Sequence, residues 1–305
     1  MELKLIFLGT GGSIPTPLRA LPAVAVRRGG ELMLFDCGEG TQSQMARAQL
    51  SPMKLSAIFI THLHGDHFLG LAGLVQTLSL MNRTRRLEIF CPPDAKERIQ
   101  TYLRIPYYTL TFDVVVNEVG PGEEIRRDDY VIRTCEVEHQ VPALAYALIE
   151  DPRPGEFYPQ RAMELGVKPG PDFSRLQAGQ SIELPDGRVV RPEQVMGPPR
   201  PGRKVVYAGD TRPCESLVEL ARGADVLIHD CTLANELSEM AVESGHSTPA
   251  EAAEVARRAG VGQLVLTHIS PRYVDDEVLL RQAREIFQNV VVARDLMELE
   301  VKFKQ

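Results

Sequence analysis

The sequence lacks several features that would point to particular classes of protein. Tryptophan is absent, and the five cysteines among the 305 residues form no C-x-x-C pair. An odd number of cysteines without paired spacing argues against a disulfide framework and against a zinc ribbon. We therefore expect a protein of a reducing compartment, the cytoplasm, whose stability comes from an ordinary buried core.

Long apolar runs and an excess of basic residues are missing as well. No stretch approaches the roughly 20 apolar residues that a transmembrane helix needs. The apolar run at the amino terminus is too short for a secretory signal, so we expect no membrane partner. The formal net charge is −7, which argues against a basic surface that coats nucleic acid but leaves room for a local cationic patch.

Short apolar segments alternate with helical patterns along most of the chain. The composition predicts strands over residues 3–8 and 23–28, for example, and apolar spacing predicts helices over 68–80 and 248–260. Thr248 and Glu251 have the spacing of a capping box at the start of the last helix. This mixed pattern predicts an α/β (α+β) fold in which helices cover two sheets. We expect a single domain over residues 1–305.

Residues 151–203 differ from the rest of the chain because they are rich in proline, glycine and arginine and show little periodicity. We interpret residues 151–180 as an inserted flexible arm. Residues 150–204 hold nine basic and eight acidic side chains, so the region is nearly neutral. Some of its basic side chains can still contact phosphates, namely Arg153, Arg161, Lys168 and Arg175. A plain surface hairpin is the alternative.

The segment THLHGDH, residues 61–67, concentrates three of the seven histidines around a carboxylate. They are His62, His64 and His67, with Asp66 between them. Buried together, three imidazoles would repel one another on protonation and would need several partners each. This density of nitrogen and oxygen ligands therefore predicts a metal site.

Three more residues of the metal-binding type follow apolar strands elsewhere in the chain, namely His139, Asp210 and His268. Each alone has an ordinary interpretation, as a buried core histidine or a turn aspartate. With residues 61–67 they make five imidazoles and two carboxylates, which zinc accepts readily. Seven ligands are too many for one tetrahedral ion and suit two ions with one bridging carboxylate. The set predicts a two-metal hydrolase, although manganese, iron or cobalt would also fit.

Longer motifs carry a resemblance to a known family. The sequence HLHGDH after an apolar strand is the signature of the metallo-β-lactamase superfamily. FDCGEGTQ (35–42), AGDTRP (208–213), GHSTPAEAA (245–253) and GVKPGP (166–171) are similar to the short form of ribonuclease Z. The resemblance covers nearly the whole chain and implies a four-layer αββα sandwich with a protruding exosite arm.

This resemblance also implies an activity. It implies a zinc-dependent endoribonuclease that removes the 3′ trailer from precursor tRNA, leaving a 3′-hydroxyl on the tRNA and a 5′-phosphate on the trailer. It further implies a homodimer in which the arm of one subunit serves the active site of the other.

The resemblance assigns two zinc ions per subunit to the seven ligand residues. Each ion receives three ligands of its own, which are His62, His64 and His139 for one ion and Asp66, His67 and His268 for the other. Asp210 is implied as the bridging carboxylate, and Asp66 also as the general base that takes a proton from the attacking water.

Further residues match the family's supporting positions. Asp36 is implied to orient a ligand histidine through a hydrogen bond. His246 is implied to stabilise charge or to protonate the leaving 3′-oxygen. Asp230 stands where family members more often have glutamate, so its contact with His246 stays open at this point.

Two other functions remain compatible with the sequence. The same metal site would serve a phosphodiesterase that acts on small molecules, and a metal-stabilised RNA-binding protein would need no catalysis. A second basic cluster, NRTRR at residues 82–86, either lines the approach to the metals or forms a solvated loop.

Overall fold

The fold is that of a computed structural model, which describes residues 1–304. The chain divides into two compact units. The larger comprises Met1–Ile149 with Arg203–Gln305, and the smaller comprises Glu150–Gly202. The strands are, in chain order, β1 (Leu3–Gly9), β2 (Ala23–Arg28), β3 (Glu31–Phe35), β4 (Leu55–Phe59), β5 (Leu87–Cys91), β6 (Val114–Glu118), β7 (Glu124–Arg126), β8 (Tyr130–Glu136), β9 (Leu144–Glu150), β10 (Ile182–Glu183), β11 (Val189–Val190), β12 (Lys204–Tyr207), β13 (Val226–Asp230), β14 (Gln263–Thr267), β15 (Val290–Val292) and β16 (Glu298–Glu300).

The helices are α1 (Thr41–Arg47), α2 (Gly65–Phe68), α3 (Leu71–Leu80), α4 (Lys96–Arg104), α5 (Pro159–Glu164), α6 (Pro171–Gln177), α7 (Pro192–Val195), α8 (Glu215–Ala221), α9 (Ser238–Ser244), α10 (Pro249–Ala259) and α11 (Glu277–Arg284). The predicted capping box at the start of α10 is confirmed. The Glu251 carboxylate accepts the Thr248 N–H at 2.9 Å, and the Thr248 hydroxyl accepts the Glu251 N–H at 3.4 Å. No helix within residues 1–304 combines the length and the apolar character that a membrane crossing requires.

Within the described residues, two seven-stranded sheets form the larger unit. One has the order β16-β1-β2-β3-β4-β5-β6 and the other β15-β14-β13-β12-β9-β8-β7. Their inner faces share one apolar core, in which Phe35 of the first sheet stacks on Tyr207 of the second with ring centroids 5.6 Å apart. Buried residues of α3 cover the outer face of the first sheet, and those of α8 and α10 cover the second. The predicted four-layer αββα sandwich is therefore confirmed.

The strand directions decide where the chemistry can lie. Strands β3 to β6 run parallel in the first sheet, and β12 to β15 run parallel in the second. The segment 61–67 follows the carboxyl end of β4, Asp210 follows that of β12, and His268 follows that of β14. Parallel strands bring their carboxyl ends to one edge of a sheet, where loops can form a cleft.

The cluster NRTRR lies at the other end of these strands. It immediately precedes β5, which runs parallel to β4, so it sits at the edge opposite to residues 61–67. The guanidinium of Arg83 is buried and donates hydrogen bonds to backbone oxygens of Leu55 at 2.7 Å and Arg86 at 2.9 Å. The interpretation that this cluster lines the approach to the metals is therefore wrong, because Arg83 binds backbone oxygens at the amino-terminal ends of β4 and β5.

The smaller unit has a core of its own. It contains α5, α6, α7 and the hairpin of β10 and β11. Seven buried apolar side chains form that core, namely Ala162, Val167, Leu176, Ile182, Leu184, Val190 and Val195. The arm that we placed over residues 151–180 lies inside this unit, which extends to Gly202.

Candidate metal centre

Four segments at the carboxyl ends of strands bring all seven predicted ligands together, namely residues 61–67 after β4 and the loops that carry His139 after β8, Asp210 after β12 and His268 after β14. Ligand atoms of His62, His64, His139 and Asp210 lie within 4.8 Å of one another, and so do those of Asp66, His67 and His268. The backbone sets the directions of the histidine side chains. Strand β4 ends at Phe59 and α2 begins at Gly65. The short irregular segment between them lets the side chains fan out into one pocket.

The carboxylate of Asp210 lies between the two groups of ligands. Its Oδ2 atom is 3.1 Å from His67 Nε2, 3.2 Å from His268 Nε2 and 3.7 Å from His62 Nε2. Asp66 Oδ2 is 3.4 Å from His268 Nε2 on the other side of the second group. A carboxylate in the position of Asp210 can serve ligand sets on both sides.

Two of the imidazoles have their orientation fixed by a direct acceptor. His67 Nδ1 lies 2.7 Å from Asp36 Oδ2, and His139 Nδ1 lies 2.8 Å from the backbone oxygen of Gly245. Neither acceptor carries a hydrogen, so Nδ1 of each ring must be the donor. The lone pair of each ring then sits on Nε2 and points into the cluster, as a metal ligand requires.

Hydroxyl groups orient two other imidazoles in the same way, with Nδ1 of the ring as the hydrogen donor. The Thr61 hydroxyl donates to Asp36 and lies 3.0 Å from His62 Nδ1, so it accepts the proton of that nitrogen. The Thr232 hydroxyl donates to Asp230 Oδ1 at 2.7 Å and lies 2.8 Å from His268 Nδ1. Both relays end on a carboxylate, which leaves the Nε2 lone pairs of these histidines free for a cation.

Buried polar atoms of the cluster show what is needed to complete it. Within residues 1–304, His62 Nε2, His67 Nε2 and Asp210 Oδ1 are buried without a hydrogen-bond partner. Leaving such groups unpaired costs about 1–3 kcal/mol each, and more for a charge. Divalent cations held by the two ligand groups would satisfy all three atoms. The donor set of imidazole nitrogens and carboxylate oxygens fits zinc and its neighbours among the transition metals.

The protonation states suit metal binding. Burial lowers the pKa of His62, His64 and His139, which keeps these imidazoles neutral and able to coordinate. Burial alone would raise the pKa of Asp66 and Asp210, but the neighbouring imidazoles hold both carboxyl pKa values below their ordinary range.

His67 differs from the other imidazoles. Burial by itself would lower its pKa, yet the carboxylates of Asp210 and Asp36 raise that pKa well above the ordinary value. Two buried carboxylates thus attract positive charge to this ring. A cation bound at Nε2 would supply the same positive charge that a second proton would otherwise bring.

The backbone is strained where it presents two of these residues. Asp36 has a φ of 57° and His268 a φ of 60°, in the left-handed region that side chains other than glycine rarely adopt. Gly12 packs so closely that a Cβ atom there would lie 2.7 Å from His268 Nδ1. Such strain persists where surrounding contacts over-determine the conformation, as they do here.

His246 and Asp230 make the contact that the sequence left open. His246 Nδ1 lies 2.9 Å from Asp230 Oδ2, so the aspartate reaches the ring despite its shorter side chain. Burial alone would lower the pKa of His246, but the Asp230 carboxylate raises it to about 9. The His246 ring centroid is 5.0 Å from that of His268 and 5.3 Å from that of His139. The catalytic role of His246 stays a prediction.

Sequence reasoning missed three residues that hold the centre in place, which are Thr61, Thr232 and Tyr207. The Tyr207 hydroxyl donates to Asp36 Oδ2 at 2.9 Å. Thr61 lies within the histidine segment and Thr232 follows Asp230 by two residues, so a search for hydroxyl partners beside these residues could have found both. Tyr207 is an aromatic residue in an apolar strand, and no local signal distinguishes it from a core residue.

The predicted phosphate contacts of the arm lie in the smaller unit. Arg161, Lys168 and Arg175 are exposed, whereas Arg153 is half-buried. The Arg161 guanidinium lies over the ring of Tyr158, 4.6 Å from its centroid, and Arg175 pairs with Asp172 at 3.2 Å. Their binding of RNA stays a prediction.

Known protein families match two parts of the chain. Residues 194–269 match the model of a beta-lactamase superfamily domain, and residues 3–142 match that of the anti-Pycsar protein Apyc1. The first match contains Asp210, His246 and His268, and the second contains the segment 61–67 and His139.

Full-length relatives are more specific. The chain is 53% identical over 303 residues to a ribonuclease Z of Methanosarcina acetivorans, with 99% of each chain covered. It is 48% identical over 307 residues to a ribonuclease Z of Archaeoglobus fulgidus, with 100% of each covered. Its fold is similar to the crystal structure of human tRNase Z, short form, with a TM-score of 0.73 and 29% identity over 98% of this chain and 100% of that one.

Proposed function

Because the chain belongs to the ribonuclease Z family, we propose that it is a metal-dependent endoribonuclease that cleaves the 3′ trailer from tRNA precursors. The products are a tRNA with a free 3′-hydroxyl and a trailer with a 5′-phosphate. The observation that carries this proposal is the Asp210 carboxylate, which lies within 3.7 Å of imidazole nitrogens from both ligand groups.

Two zinc ions per subunit fit the ligand sets best, with manganese or another divalent metal as the alternative. His62, His64 and His139 would hold one ion, Asp66, His67 and His268 would hold the other, and Asp210 would be available to both sets. Divalent cations held there would lower the pKa of water and neutralise charge on phosphoryl oxygens.

In this proposal Asp66 acts as the general base. Its Oδ2 accepts the backbone N–H of Ser13 at 2.8 Å, which holds the carboxylate at the open side of the cluster. The Asp66 carboxyl is ionised, which is the form that a general base requires, and it is partly exposed, so that a water can reach it.

In this proposal His246 acts as the general acid. Its Nδ1–H donates to Asp230 Oδ2, which leaves the Nε2 proton of the charged ring for the leaving 3′-oxygen of the tRNA. Asp230 is a positioning residue, because it fixes the ring and raises its pKa without contact to the substrate. The Thr211 N–H also donates to Asp230, at 3.2 Å, and holds that carboxylate in turn.

Recognition of tRNA falls to the arm. Arg153, Arg161, Lys168 and Arg175 contact backbone phosphates, which position an RNA without reading its sequence. The enzyme is a cytoplasmic homodimer in which the arm of one subunit serves the centre of the other. These statements on dimer and compartment rest on membership of the family.

A single-turnover cleavage assay with zinc and a labelled tRNA precursor tests the proposal. Asp66→Ala should slow cleavage by about 10³-fold, since it removes both a ligand and the base. Asp128→Ala, which removes an exposed carboxylate between β7 and β8, is the matched control and should cleave at the wild-type rate.

Two outcomes would contradict the proposal. Equal rates for wild type and Asp66→Ala would favour a metal-stabilised RNA-binding protein over an enzyme. Hydrolysis of a small aryl phosphodiester without cleavage of the precursor would favour a phosphodiesterase of small molecules.

A further inference from the structure

A pocket of about 430 Å³ opens beside the metal centre. Its walls are mainly apolar and include Leu63, Pro92, Val141 and Pro142, while Asp94 and Arg98 supply charged groups. The volume lies in the range of roughly 300–1,000 Å³ that is typical of small-ligand pockets. None of these six side chains has a role in the proposed mechanism.

The topology ties this pocket to the metal ligands. Leu63 stands between His62 and His64 in the chain, and Pro92 follows β5, the parallel neighbour of β4. The Leu144 N–H donates to the Thr61 backbone oxygen at 3.0 Å, which holds the loop that contains Val141 and Pro142 against the histidine segment. The pocket is therefore built partly from the two loops that carry His62, His64 and His139.

The position of His246 decides which side of the substrate the pocket faces. The His246 ring stacks on His268 and also contacts His139, whereas the pocket begins at Leu63 beside His64. His246 protonates the 3′-oxygen that remains with the tRNA, so the last tRNA nucleotide lies on the His246 side. The first trailer nucleotide keeps the phosphate and extends away from His246.

Arg98 supplies a charge that suits this nucleotide. It is exposed on α4, and within residues 1–304 it forms no salt bridge. Many other arginines of the larger unit are paired, for example Arg127 with Glu88 and Arg133 with Glu124. An unpaired guanidinium presents a planar set of donors that matches a phosphate group.

The surface beyond Arg98 limits how much of the trailer is held. A second pocket of about 660 Å³ shares Asp94 and Arg98 with the first and adds the carboxylates of Glu97 and Glu118. These carboxylates repel further phosphates. Favourable contacts with the trailer thus end at Arg98.

We propose that the pocket of Leu63, Pro92, Val141 and Pro142, the trailer pocket, holds the base of the first trailer nucleotide. Arg98 binds the phosphate that joins the first and second trailer nucleotides. This inference rests on the proposed function, because it names a subsite of that same reaction. Because Arg98 binds this phosphate, the cleavage rate should be higher for a trailer of two nucleotides than for a trailer of one. A trailer of four nucleotides should give no further increase in the rate.

The test measures kcat/KM for three tRNA precursors that differ only in having trailers of one, two or four nucleotides. For wild type, the ratio between two and one nucleotides should be about tenfold, the size of one charge-assisted hydrogen bond to a phosphate. Arg98→Gln should bring this ratio to about one, and Arg98→Lys should keep part of it. Arg104→Gln, the same change on the same helix but outside the pocket, should keep the wild-type ratio.

An unchanged ratio in Arg98→Gln would overturn the trailer pocket, as would an equal gain from each added nucleotide in wild type. A loss of the same size on all three precursors would also overturn it, because Arg98 would then contact the tRNA body. Failure of the proposed function is distinguishable from these results, since wild type would then cleave none of the three precursors.

Discussion

In the metal centre four of the five ligand histidines have a protein partner at Nδ1 that fixes the direction of the ring. By contrast, three basic side chains of the Glu150–Gly202 unit, Arg161, Lys168 and Arg175, are exposed. His67 is held by Asp36, and His246 by Asp230. Arg175 instead pairs with Asp172 three residues before it, with both side chains about half exposed. Exposed pairs of this kind contribute little stability.

This difference in burial and pairing indicates how much function each region loses when one side chain is substituted. A buried hydrogen-bond network loses its function when one side chain is removed, because the remaining polar groups stay buried without partners. A surface that binds phosphates spreads its affinity over several weak contacts, so the loss of one is graded. The four predictions that follow test this contrast, beginning with the largest expected effect.

Asp210→Ala should abolish activity on every substrate. The substitution removes the carboxylate that both ligand groups approach, so we expect kcat to fall by at least about 10³-fold, more than the loss of one hydrogen-bond donor to a transition state. The rate on a precursor tRNA and on a small aryl phosphodiester, together with the metal content of the purified protein, measures this. A variant that retains the wild-type metal content and rate would remove Asp210 from the centre.

Replacement of residues 151–201 by a short glycine linker should separate binding from chemistry. The ends of the unit are close, since a Cβ on Gly202 would lie 2.2 Å from the Glu150 backbone oxygen. We expect kcat/KM on precursor tRNA to fall by about 10²-fold through lost phosphate contacts, with hydrolysis of the small phosphodiester retained. Loss of both activities with an intact fold would contradict the contrast between the regions.

The whole unit must be replaced in that experiment. A deletion of residues 151–180 alone would remove Ala162, Val167 and Leu176 and leave their partners in the small core, such as Ile182 and Val195, exposed. Exposed apolar residues would confuse a binding defect with aggregation.

Asp36→Asn should weaken metal binding without removing a ligand. Asp36 accepts hydrogen bonds from His67, Thr61 and Tyr207, and an amide in its place presents a donor to one of them. We expect a loss of about 10–100-fold in metal affinity, measured by competition with a chelator. Tyr207→Phe removes a single bond to Asp36 and should lower the affinity less. The reverse order of the two variants would show that Asp36 does not orient the ligand.

Lys168→Gln should have the smallest effect. The loss of one phosphate contact should raise KM a few fold, leave kcat unchanged and reduce the slope of log affinity against log salt by about one. The exposed Lys54, in the larger unit, provides the matched control as Lys54→Gln. An unchanged salt slope would remove Lys168 from the phosphate contacts.

Much of the fold was predictable because local patterns agree with the tertiary structure. The strand predicted over residues 23–28 is β2, and the one predicted over 3–8 is β1 with one residue added. The helix predicted over 68–80 begins later, at Leu71, because α2 already ends at Phe68 after turning the histidine segment. Residue types at strand ends also sufficed to nominate the seven ligands, since imidazole clusters have few other uses.

Other features depend on contacts that no local pattern encodes. Tyr207 reaches Asp36 across the interface of the two sheets, and 171 positions separate them in the sequence. The sequence did not predict α5 and α6, because each begins with a proline and proline usually indicates the end of a helix. At the first position of a helix, however, proline is favourable. The contact between Asp230 and His246 likewise depends on where the backbone places these two residues, and not on the length of the Asp230 side chain.

The origin of the ligands from distant parts of the chain has a consequence for biosynthesis. The histidines of residues 61–67 leave the ribosome long before Asp210 and His268 have been translated, so neither ligand group is complete on the nascent chain. Metal binding by the complete ligand sets must therefore wait until the carboxyl-terminal strands have joined the second sheet. Metal acquisition thus comes late in the maturation of this protein, after the distant ligands have been brought together by folding.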